Sequence, residues 1–333
     1  MAKILTIGEL LLRLTPVQLQ RLNQTRELTM SYGGAEANVA VSLSQFGHHA
    51  SLLSVIPAND LGEAALSHLK AFGVDTSSIF RGGERLGLYF YEQGFSSKQA
   101  KVIYDRKYSS ILELPNEKID WDQVYAGVDI LHTTGITPAL SEKLQQFTIK
   151  AIQEAKKRKV QISFDFNYRA KLWSIEKAKE TFLSILPYVD ICFVGYKDFK
   201  FLLGNDGPEH FTKDVLENWY RELAIKYEIS YLVCTNRTII SSSKNEIVGY
   251  VYFENCLYES ERISFEILDR IGGGDAFAAG VLHGIAAGYE SKKMIEFAVS
   301  SSVLKHTVYG DHNQFSVDEV KTFVANRGGD VNR

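Results

Sequence analysis

The chain has 333 residues, of which 45% are hydrophobic and 23% charged, and its 37 Lys and Arg nearly balance its 40 Asp and Glu. These proportions are ordinary for a globular protein with a sizeable core, and a net charge of −3 excludes the basic excess of a nucleic-acid or anionic-membrane binder. Three cysteines cannot build a disulfide framework, the N-terminal residues lack the apolar region of a signal peptide, and no apolar run approaches membrane-spanning length. We therefore expect a cytoplasmic protein without nucleic-acid or membrane partners.

Short apolar segments alternate with segments of helical periodicity along most of the chain. Helices are predicted at residues 37–46, 62–72 and 141–158. Strands are predicted at residues 3–7, 50–55, 130–134, 161–167, 190–194 and 230–234. Strands separated by helices indicate the α/β class, with a mainly parallel central sheet flanked by helices on both faces.

One region departs from this alternation. Residues 86–92 and 101–106 alternate by twos and are joined by the short segment 93–97, a pattern typical of a β-hairpin. Strand-like pieces also occur between residues 11 and 32. Together these segments are expected to form a small separate sheet.

Three consecutive glycines, Gly272, Gly273 and Gly274, precede Asp275 and a segment of helical periodicity that runs to residue 287. Glycine lets backbone N–H groups approach a ligand closely, and a helix N-terminus attracts anions. A carboxylate at such a site can accept the proton of a substrate hydroxyl while the amides stabilise a transferring phosphoryl group. The pattern alone leaves open an ordinary Asp in the first turn of a helix.

A second glycine pair, Gly33 and Gly34, precedes the helix predicted at residues 37–46. It permits the same close approach of backbone to a ligand. Asn38, in this segment, offers both a donor and an acceptor to a polyol.

In this order, the two motifs resemble the signatures of the ribokinase-like (PfkB) carbohydrate kinases, and the resemblance covers nearly the whole chain. The C-terminal signature of that family is written D-T-x-G-A-G-D-x-F, and here Arg270 replaces Thr and Gly273 replaces Ala. The resemblance implies that Asp275 is the catalytic base and that the residue 272–274 amides form the anion hole. It also implies ATP as phosphoryl donor. Mg²⁺ is expected to arrive with ATP and bridge its phosphates, because the sequence shows no dense carboxylate cage for a protein-held metal. The small sheet would be a lid over the sugar and the contact of a homodimer or higher homo-oligomer.

Within the family, several short segments resemble those of 2-keto-3-deoxygluconate kinases, at residues 87–90, 104–106, 135–137, 165–169 and 305–311. This resemblance implies substrate contacts from six residues, with Asn38 as a further candidate. The six are Gly34, Tyr89, Tyr104, Arg106, Arg169 and Asp311.

The chemistry of these residues agrees with a sugar acid. A guanidinium can hold a carboxylate through paired, charge-assisted hydrogen bonds, and a neutral sugar needs no such cation. Tyr104 and Arg106 are two positions apart on a predicted strand and share a face. Taken alone, these residues could equally be a half-buried strand surface with a solvated charge, Arg169 could form a surface ion pair, and Asp311 could be a turn residue.

The nucleotide side departs from the family pattern at two places. Gly195 and Asp198 stand where relatives often have Asn-x-x-Glu, so only a shorter carboxylate remains. Relatives also carry a glycine-rich turn where this chain has Thr235, Asn236 and Arg237. These polar groups could still contact phosphate or ribose, so we take Asp198 and residues 235–237 as the nucleotide-binding candidates.

The sequence therefore predicts one ribokinase-like α/β domain at residues 1–325, with lid strands drawn from about 11–32 and 86–106, and a frayed tail at 326–333. The expected activity is ATP-dependent phosphorylation of the terminal hydroxyl of a sugar acid, with 2-keto-3-deoxygluconate giving 2-keto-3-deoxy-6-phosphogluconate. Two alternatives stay open: a fructokinase or ribokinase for a neutral sugar, and a non-catalytic sensor that binds a sugar acid.

Overall fold

The structure is a computed structural model that describes residues 1–115 and 119–326. Its strands are β1 (Lys3–Ile7), β2 (Leu11–Pro16), β3 (Leu28–Gly33), β4 (His49–Ile56), β5 (Ile79–Arg81), β6 (Gly87–Glu92), β7 (Lys101–Asp105), β8 (Ile130–Thr134), β9 (Gln161–Asp165), β10 (Ile191–Phe193), β11 (Tyr231–Ile239), β12 (Lys244–Phe253), β13 (Cys256–Glu259) and β14 (Ile263–Glu266). Its helices are α1 (Ala35–Gln45), α2 (Asp60–Ala71), α3 (Trp121–Val124), α4 (Glu142–Lys157), α5 (Ile175–Ile185), α6 (Tyr196–Asp198), α7 (Lys213–Tyr227), α8 (Gly273–Ala286), α9 (Ser291–Lys305) and α10 (Val317–Ala325).

A large sheet forms the centre of the molecule, with the strand order β13-β12-β11-β10-β9-β8-β1-β4-β5. From β11 to β5 the neighbouring strands are parallel. At the other edge β12 is antiparallel to β11 and also pairs with β13 and β14. Parallel neighbours require crossover connections, which helices provide here. The prediction of a mainly parallel sheet is confirmed.

Apolar side chains cover both faces of this sheet, as buried parallel strands require. On β1, Leu5 belongs to one apolar layer and Ile4 to the other. The first layer includes Phe147 of α4 and Phe182 of α5, and the second includes Phe277 of α8. Helices therefore flank the sheet on both faces, and the carboxyl ends of the parallel strands are left for ligands.

A second, four-stranded sheet has the order β3-β2-β6-β7. It contains the predicted hairpin as β6 and β7 and the two strands expected from the segment 11–32. Arg13 lies opposite Tyr89, and Tyr89 lies opposite Tyr104. Side chains that oppose one another on adjacent strands share a face, so these three belong to one side of the small sheet. We call this sheet the lid.

Some predicted bounds differ from the observed ones. The strand predicted to end at residue 234 continues to Ile239, so residues 235–237 are not a turn but pair with β12. β-Branched residues such as Thr235 and Thr238 favour a strand, and the antiparallel partner that stabilises it was not predicted. No helix in the described part of the chain is long and apolar enough to cross a membrane. Of the tail expected to be frayed, residues 327–333 lie outside the described residues.

Candidate active site

A cavity of about 960 Å³ lies between the lid and the central sheet, where the carboxyl ends of β8 and β9 meet the start of α8. Twelve of the predicted functional residues line it and three do not. Those that line it are Gly34, Asn38, Tyr89, Tyr104, Arg106, Arg169, Arg237, Gly272, Gly273, Gly274, Asp275 and, from the last loop, Asp311. Asp198, Thr235 and Asn236 are not among its lining residues.

The three glycines at the start of α8 are required or tolerated for different structural reasons. Gly272 has φ of 84°, and a Cβ there would lie 1.4 Å from the backbone oxygen of Asp311. A Cβ on Gly273 would lie 2.1 Å from the ring of His306. Only Gly274 faces open space. Internal packing therefore requires the first two glycines, and the third leaves the cavity open.

The amides of the glycine turn precede the hydrogen-bond ladder of α8. Its first backbone bond runs from the Ala276 N–H to the Gly272 carbonyl oxygen, at 2.9 Å. The N–H groups of Gly273, Gly274 and Asp275 thus belong to the unsatisfied first turn, where the helix dipole favours an anion. These amides and the open side of Gly274 form a site that fits a phosphoryl group.

Asp275 lies beside this turn and is held by Asn38. The Asn38 Nδ2 donates to Asp275 Oδ2 at 2.6 Å, and the Asn38 Oδ1 accepts from the Gly34 N–H at 3.3 Å. Burial raises the pKa of Asp275 to about 7, although the Asn38 hydrogen bond and the Arg169 charge act to lower it. A carboxylate with this pKa is suited to accept a proton near neutral pH.

Two further carboxyl groups lie in the same region. Burial, together with the negative charges of Asp275 and Asp198, raises the pKa of Asp165 to about 8. Burial also raises the pKa of Asp198 to about 6. The Gly195 N–H, which donates to Asp198 Oδ2 at 2.8 Å, acts to lower that pKa. Among the described residues, no group of three His, Cys, Asp or Glu is placed to hold a metal ion.

The two arginines predicted to contact the substrate differ in their partners. Arg106 is partly buried and ion-paired with Glu9, which also accepts a hydrogen bond from Ser109. Arg169 is exposed, and no carboxylate of the described residues lies within ion-pair distance of it. Its Nη1 donates to the Tyr168 carbonyl oxygen at 3.5 Å. The surface ion pair considered for Arg169 is therefore absent within that part of the chain.

At the lid end of the cavity, Asp311 contacts two side chains of the small sheet. The Tyr89 hydroxyl donates to Asp311 Oδ2, and Arg13 Nη1 donates to Asp311 Oδ1 at 2.6 Å. A Cβ on Gly33 would lie 2.1 Å from the Asp311 carboxylate, so this glycine provides its space. Asp311 is 2% exposed and is much more tightly held than a turn residue would be.

On the nucleotide side, two arginines line the cavity next to the glycine turn. Arg237 projects from β11 and Arg270 precedes the turn, and neither forms an ion pair with another described residue. Partial burial and the nearby Arg270 charge lower the pKa of Arg237 to about 10. Two cations without carboxylate partners beside an anion site fit a polyphosphate chain.

Sequence reasoning missed four residues that organise this site: Glu9, Arg13, Asp165 and Asp269. Asp269 starts the glycine motif and Asp165 lies near the end of the strand predicted at residues 161–167, so their positions carried a signal. Glu9 precedes β2, and Arg13 lies within it. Nothing in the sequence around them indicates that their partners lie about 100 to 300 positions away.

Comparisons with known proteins agree with the geometry. The family model described as pfkB family carbohydrate kinase matches residues 1–317. The chain is 31% identical over 330 residues to a 2-dehydro-3-deoxygalactonokinase of Haloferax volcanii, with 99% of this chain and 98% of that protein covered. It is 27% identical over 316 residues to a 2-dehydro-3-deoxygluconokinase of Thermoproteus tenax, with 94% and 90% covered. The crystal structure of a 2-dehydro-3-deoxygluconokinase from Thermotoga maritima has a TM-score of 0.95 and 37% identity, and covers 98% of this chain and 100% of that one.

Proposed function

Because the chain belongs to the pfkB family of carbohydrate kinases and is itself a carbohydrate kinase, we propose that it phosphorylates the terminal hydroxyl of a 2-keto-3-deoxy sugar acid with ATP. The preferred substrate in this proposal is 2-keto-3-deoxygluconate, also called 2-dehydro-3-deoxygluconate, and the product is its 6-phosphate. The single observation that carries the proposal is Asp275, with a pKa of about 7, beside the open amide turn at Gly274.

The sugar end of the cavity supports an acidic substrate. Arg169 is an exposed, cavity-lining guanidinium without a carboxylate partner in the described residues, so it is free to pair with the carboxylate of the ligand. Arg106 is held by Glu9 and presents a second cation. Four further residues line the pocket and offer hydroxyl, amide or backbone contacts: Gly34, Asn38, Tyr89 and Tyr104.

In the proposed reaction, the Asp275 carboxylate takes the proton of the terminal hydroxyl as that oxygen bonds to the γ-phosphorus of ATP, and ADP leaves. The Gly273, Gly274 and Asp275 amides stabilise the negative charge on the transferring phosphoryl oxygens. Arg237 and Arg270 are proposed to bind the phosphate chain of ATP. Magnesium bound to the nucleotide supplies further charge neutralisation.

The two changed nucleotide-side segments enter this proposal in different ways. Asp198 keeps a carboxyl near Asp165 but accepts its hydrogen bond from Gly195 and does not line the cavity. Thr235 and Asn236 are strand residues paired with β12 and also lie outside the lining. We therefore propose that Arg237 carries the direct nucleotide contact of this strand and that the other three act at a distance.

The lid supports a homo-oligomer. Leu14, Met30, Phe90 and Ile103 oppose one another across its four strands, on the face away from the cavity. Met30 is 52% and Ile103 41% exposed. An apolar row that is exposed at two of its four positions is typical of an association surface, so we propose that two copies pack through it.

ATP consumption measured against a panel of sugars tests the proposed function. The panel contains 2-keto-3-deoxygluconate, its galactonate epimer, fructose and ribose. We expect turnover with the sugar acids and a kcat/KM for fructose and ribose at least about 100-fold lower, because a neutral sugar leaves Arg169 unpaired. A higher kcat/KM for fructose or ribose would establish the neutral-sugar alternative. Binding of the sugar acid in calorimetry without ATP consumption would establish the sensor.

A further inference from the structure

Arg13 of β2 is a buried lid residue whose guanidinium joins two acidic side chains of the α/β body. Its Nη2 donates to Asp269 Oδ2 and its Nη1 to Asp311 Oδ1, both at 2.6 Å. Its Nε donates to the Thr15 hydroxyl at 2.8 Å, and its carbon Cζ lies 4.4 Å from the centre of the Tyr91 ring. Arg13 is 2% exposed and is not among the residues that line the cavity.

Each of the two carboxylates holds one loop of the proposed active site. The Asp269 carboxylate accepts from the Ile271 N–H and the Gly310 N–H, both at 3.2 Å, and so fixes the backbone that leads into the glycine turn. The Asp311 carboxylate lines the cavity and accepts from Tyr89, while its own backbone oxygen occupies the space beside Gly272. Through Arg13, the lid strand therefore contacts both loops at once.

The charges of this cluster balance. Lys305, which is fully buried, approaches the Asp269 carbonyl oxygen at 3.4 Å and the Val308 carbonyl oxygen at 3.5 Å. Two cations, Arg13 and Lys305, thus lie in one buried cluster with two carboxylates, those of Asp269 and Asp311. Removing one cation would leave a carboxylate without compensation, which is strongly destabilising for a buried group.

We propose that Arg13 is a positioning residue for phosphoryl transfer. It fixes the Asp311 carboxylate at the sugar end of the cavity. Through Asp269, it also fixes the glycine turn at the phosphoryl end, so that both ends keep one relative geometry. This inference rests on the proposed function. Arg13 does not touch the substrate, because its N–H groups are directed to Asp269, Asp311 and Thr15 and it lies outside the cavity lining. It acts through the two loops, and it couples closure of the lid to the alignment of base, hydroxyl and anion hole.

Two variants at this position test the inference. Arg13→Lys keeps the charge, but an ammonium cannot form the forked contact with two carboxylates. We expect a kcat at least about tenfold lower and a raised KM for the sugar acid, with the KM for ATP within about twofold of wild type. Arg13→Gln also removes the charge that balances Asp311, whose own charge raises the pKa of Asp275. We expect the acidic limb of the kcat/KM profile of Arg13→Gln to move to higher pH. The same limb in Arg13→Lys should stay at the wild-type pH, because the lysine keeps the positive charge.

Arg85→Gln is the matched control, because Arg85 also pairs with a carboxylate, Asp105, close to the lid but in an exposed position. It is expected to behave as wild type in kcat, both KM values and the pH profile. If Arg13→Gln does not fold, the kcat and KM of Arg13→Lys decide the question. If the wild-type enzyme is active and Arg13→Lys cannot be distinguished from Arg85→Gln, this inference is wrong while the proposed function stands. A wild-type protein without sugar-dependent ATP consumption would overturn the proposed function.

Discussion

We propose Asp275 as the catalytic base, and this role can be separated from that of an ordinary Asp in the first turn of a helix. We expect Asp275→Asn to lower kcat by about 100-fold or more while sugar binding, measured by calorimetry, is retained, because the amide cannot accept the hydroxyl proton. The control is Asp318→Asn, which changes an exposed Asp in the first turn of α10. Near wild-type turnover by Asp275→Asn would contradict the assignment.

The pH profile gives a second test of Asp275. The base works only when deprotonated, so kcat/KM should rise with pH through about 7 and level off above it. The Asn38 hydrogen bond lowers the pKa of Asp275, and its removal in Asn38→Ala should raise that pKa and move the limb to higher pH. A limb at pH 4 to 5, as for an exposed carboxyl, would contradict the buried base.

Two glycines of the same turn should respond in opposite ways to a methyl group. Gly272→Ala would clash with the Asp311 backbone at a φ of 84°, so we expect a loss of stability of about 1 to 3 kcal/mol in urea unfolding. Gly274→Ala has open space and should fold at least as well as wild type, because Ala favours a helix. Its methyl group would enter the phosphoryl site, and kcat should fall about tenfold or more. Equal stability losses for both would refute this distinction.

The two substrate-side arginines should differ in specificity tests. We expect Arg169→Ala to raise the KM for the sugar acid more than Arg106→Ala, because Arg106 is already paired with Glu9 and Arg169 is unpaired within the described residues. Both changes should affect a sugar acid far more than fructose. Equal effects on acidic and neutral substrates would remove the argument for a carboxylate in this pocket.

At the scale of elements, the sequence predicted the strands and helices that have a clear local periodicity. The strand predicted at residues 130–134 and the helix predicted at 141–158 appear where periodicity placed them, and the structure adds an N-cap at Ser141. The lid hairpin was predicted as well. The extension of β11 was not, because its partner β12 lies across a turn and contributes pairing that no local pattern reveals.

The proposed association through the lid is a prediction for this element as a whole. We expect Met30→Lys with Ile103→Lys to give a smaller assembly than wild type in light scattering, because charges would replace the exposed apolar row. The control is Ile225→Lys on α7, where an isoleucine of 72% exposure lies far along the chain from the lid strands. An unchanged mass for the double variant would exclude this surface.

At the scale of the whole molecule, buried titratable groups make stability depend on pH in two directions. Four buried histidines have pKa values lowered mainly by burial to about 3 or 4, so the unfolded chain binds more protons below their ordinary pKa of 6.5, and stability rises with pH up to that value. They are His132, His283, His306 and His312. The active-site carboxyls have the opposite effect, because their pKa values are raised and the folded state binds more protons.

Above pH 6.5 the carboxyl groups determine how the free energy of unfolding changes with pH. Asp165 and Asp275 keep protons in the folded protein up to about pH 8 and 7, whereas the unfolded groups lose them near 3.8. The free energy of unfolding should therefore be maximal between pH 6 and 7 and fall towards pH 8. Asp165→Asn should be more stable than wild type at pH 8 by about 1 kcal/mol or more in urea unfolding. The exposed Asp214→Asn serves as control, and a wild-type stability that increases from pH 7 to 8 would contradict these pKa values.

The candidate site could be predicted from sequence only where its residues belong to compact motifs. Gly274, Asp275 and Asn38 stand in such motifs, and all three line the cavity. Gly272 and Gly273 were assigned to a ligand for their amides, and Asp311 and His306 add a packing reason why neither position has room for a side chain. Contacts of that kind join segments distant in sequence, and a single chain read locally does not contain them.

The bond between Arg13 and Asp311 joins residues 298 positions apart. During translation, residue 13 leaves the ribosome long before residue 311 has been synthesised. A nascent chain that stops short of residue 311 would carry the lid strand without one of the two anions that neutralise its arginine. Truncated translation products should therefore bind strand β2 of the lid weakly to the α/β body and be inactive, even when they contain every residue of the glycine turn.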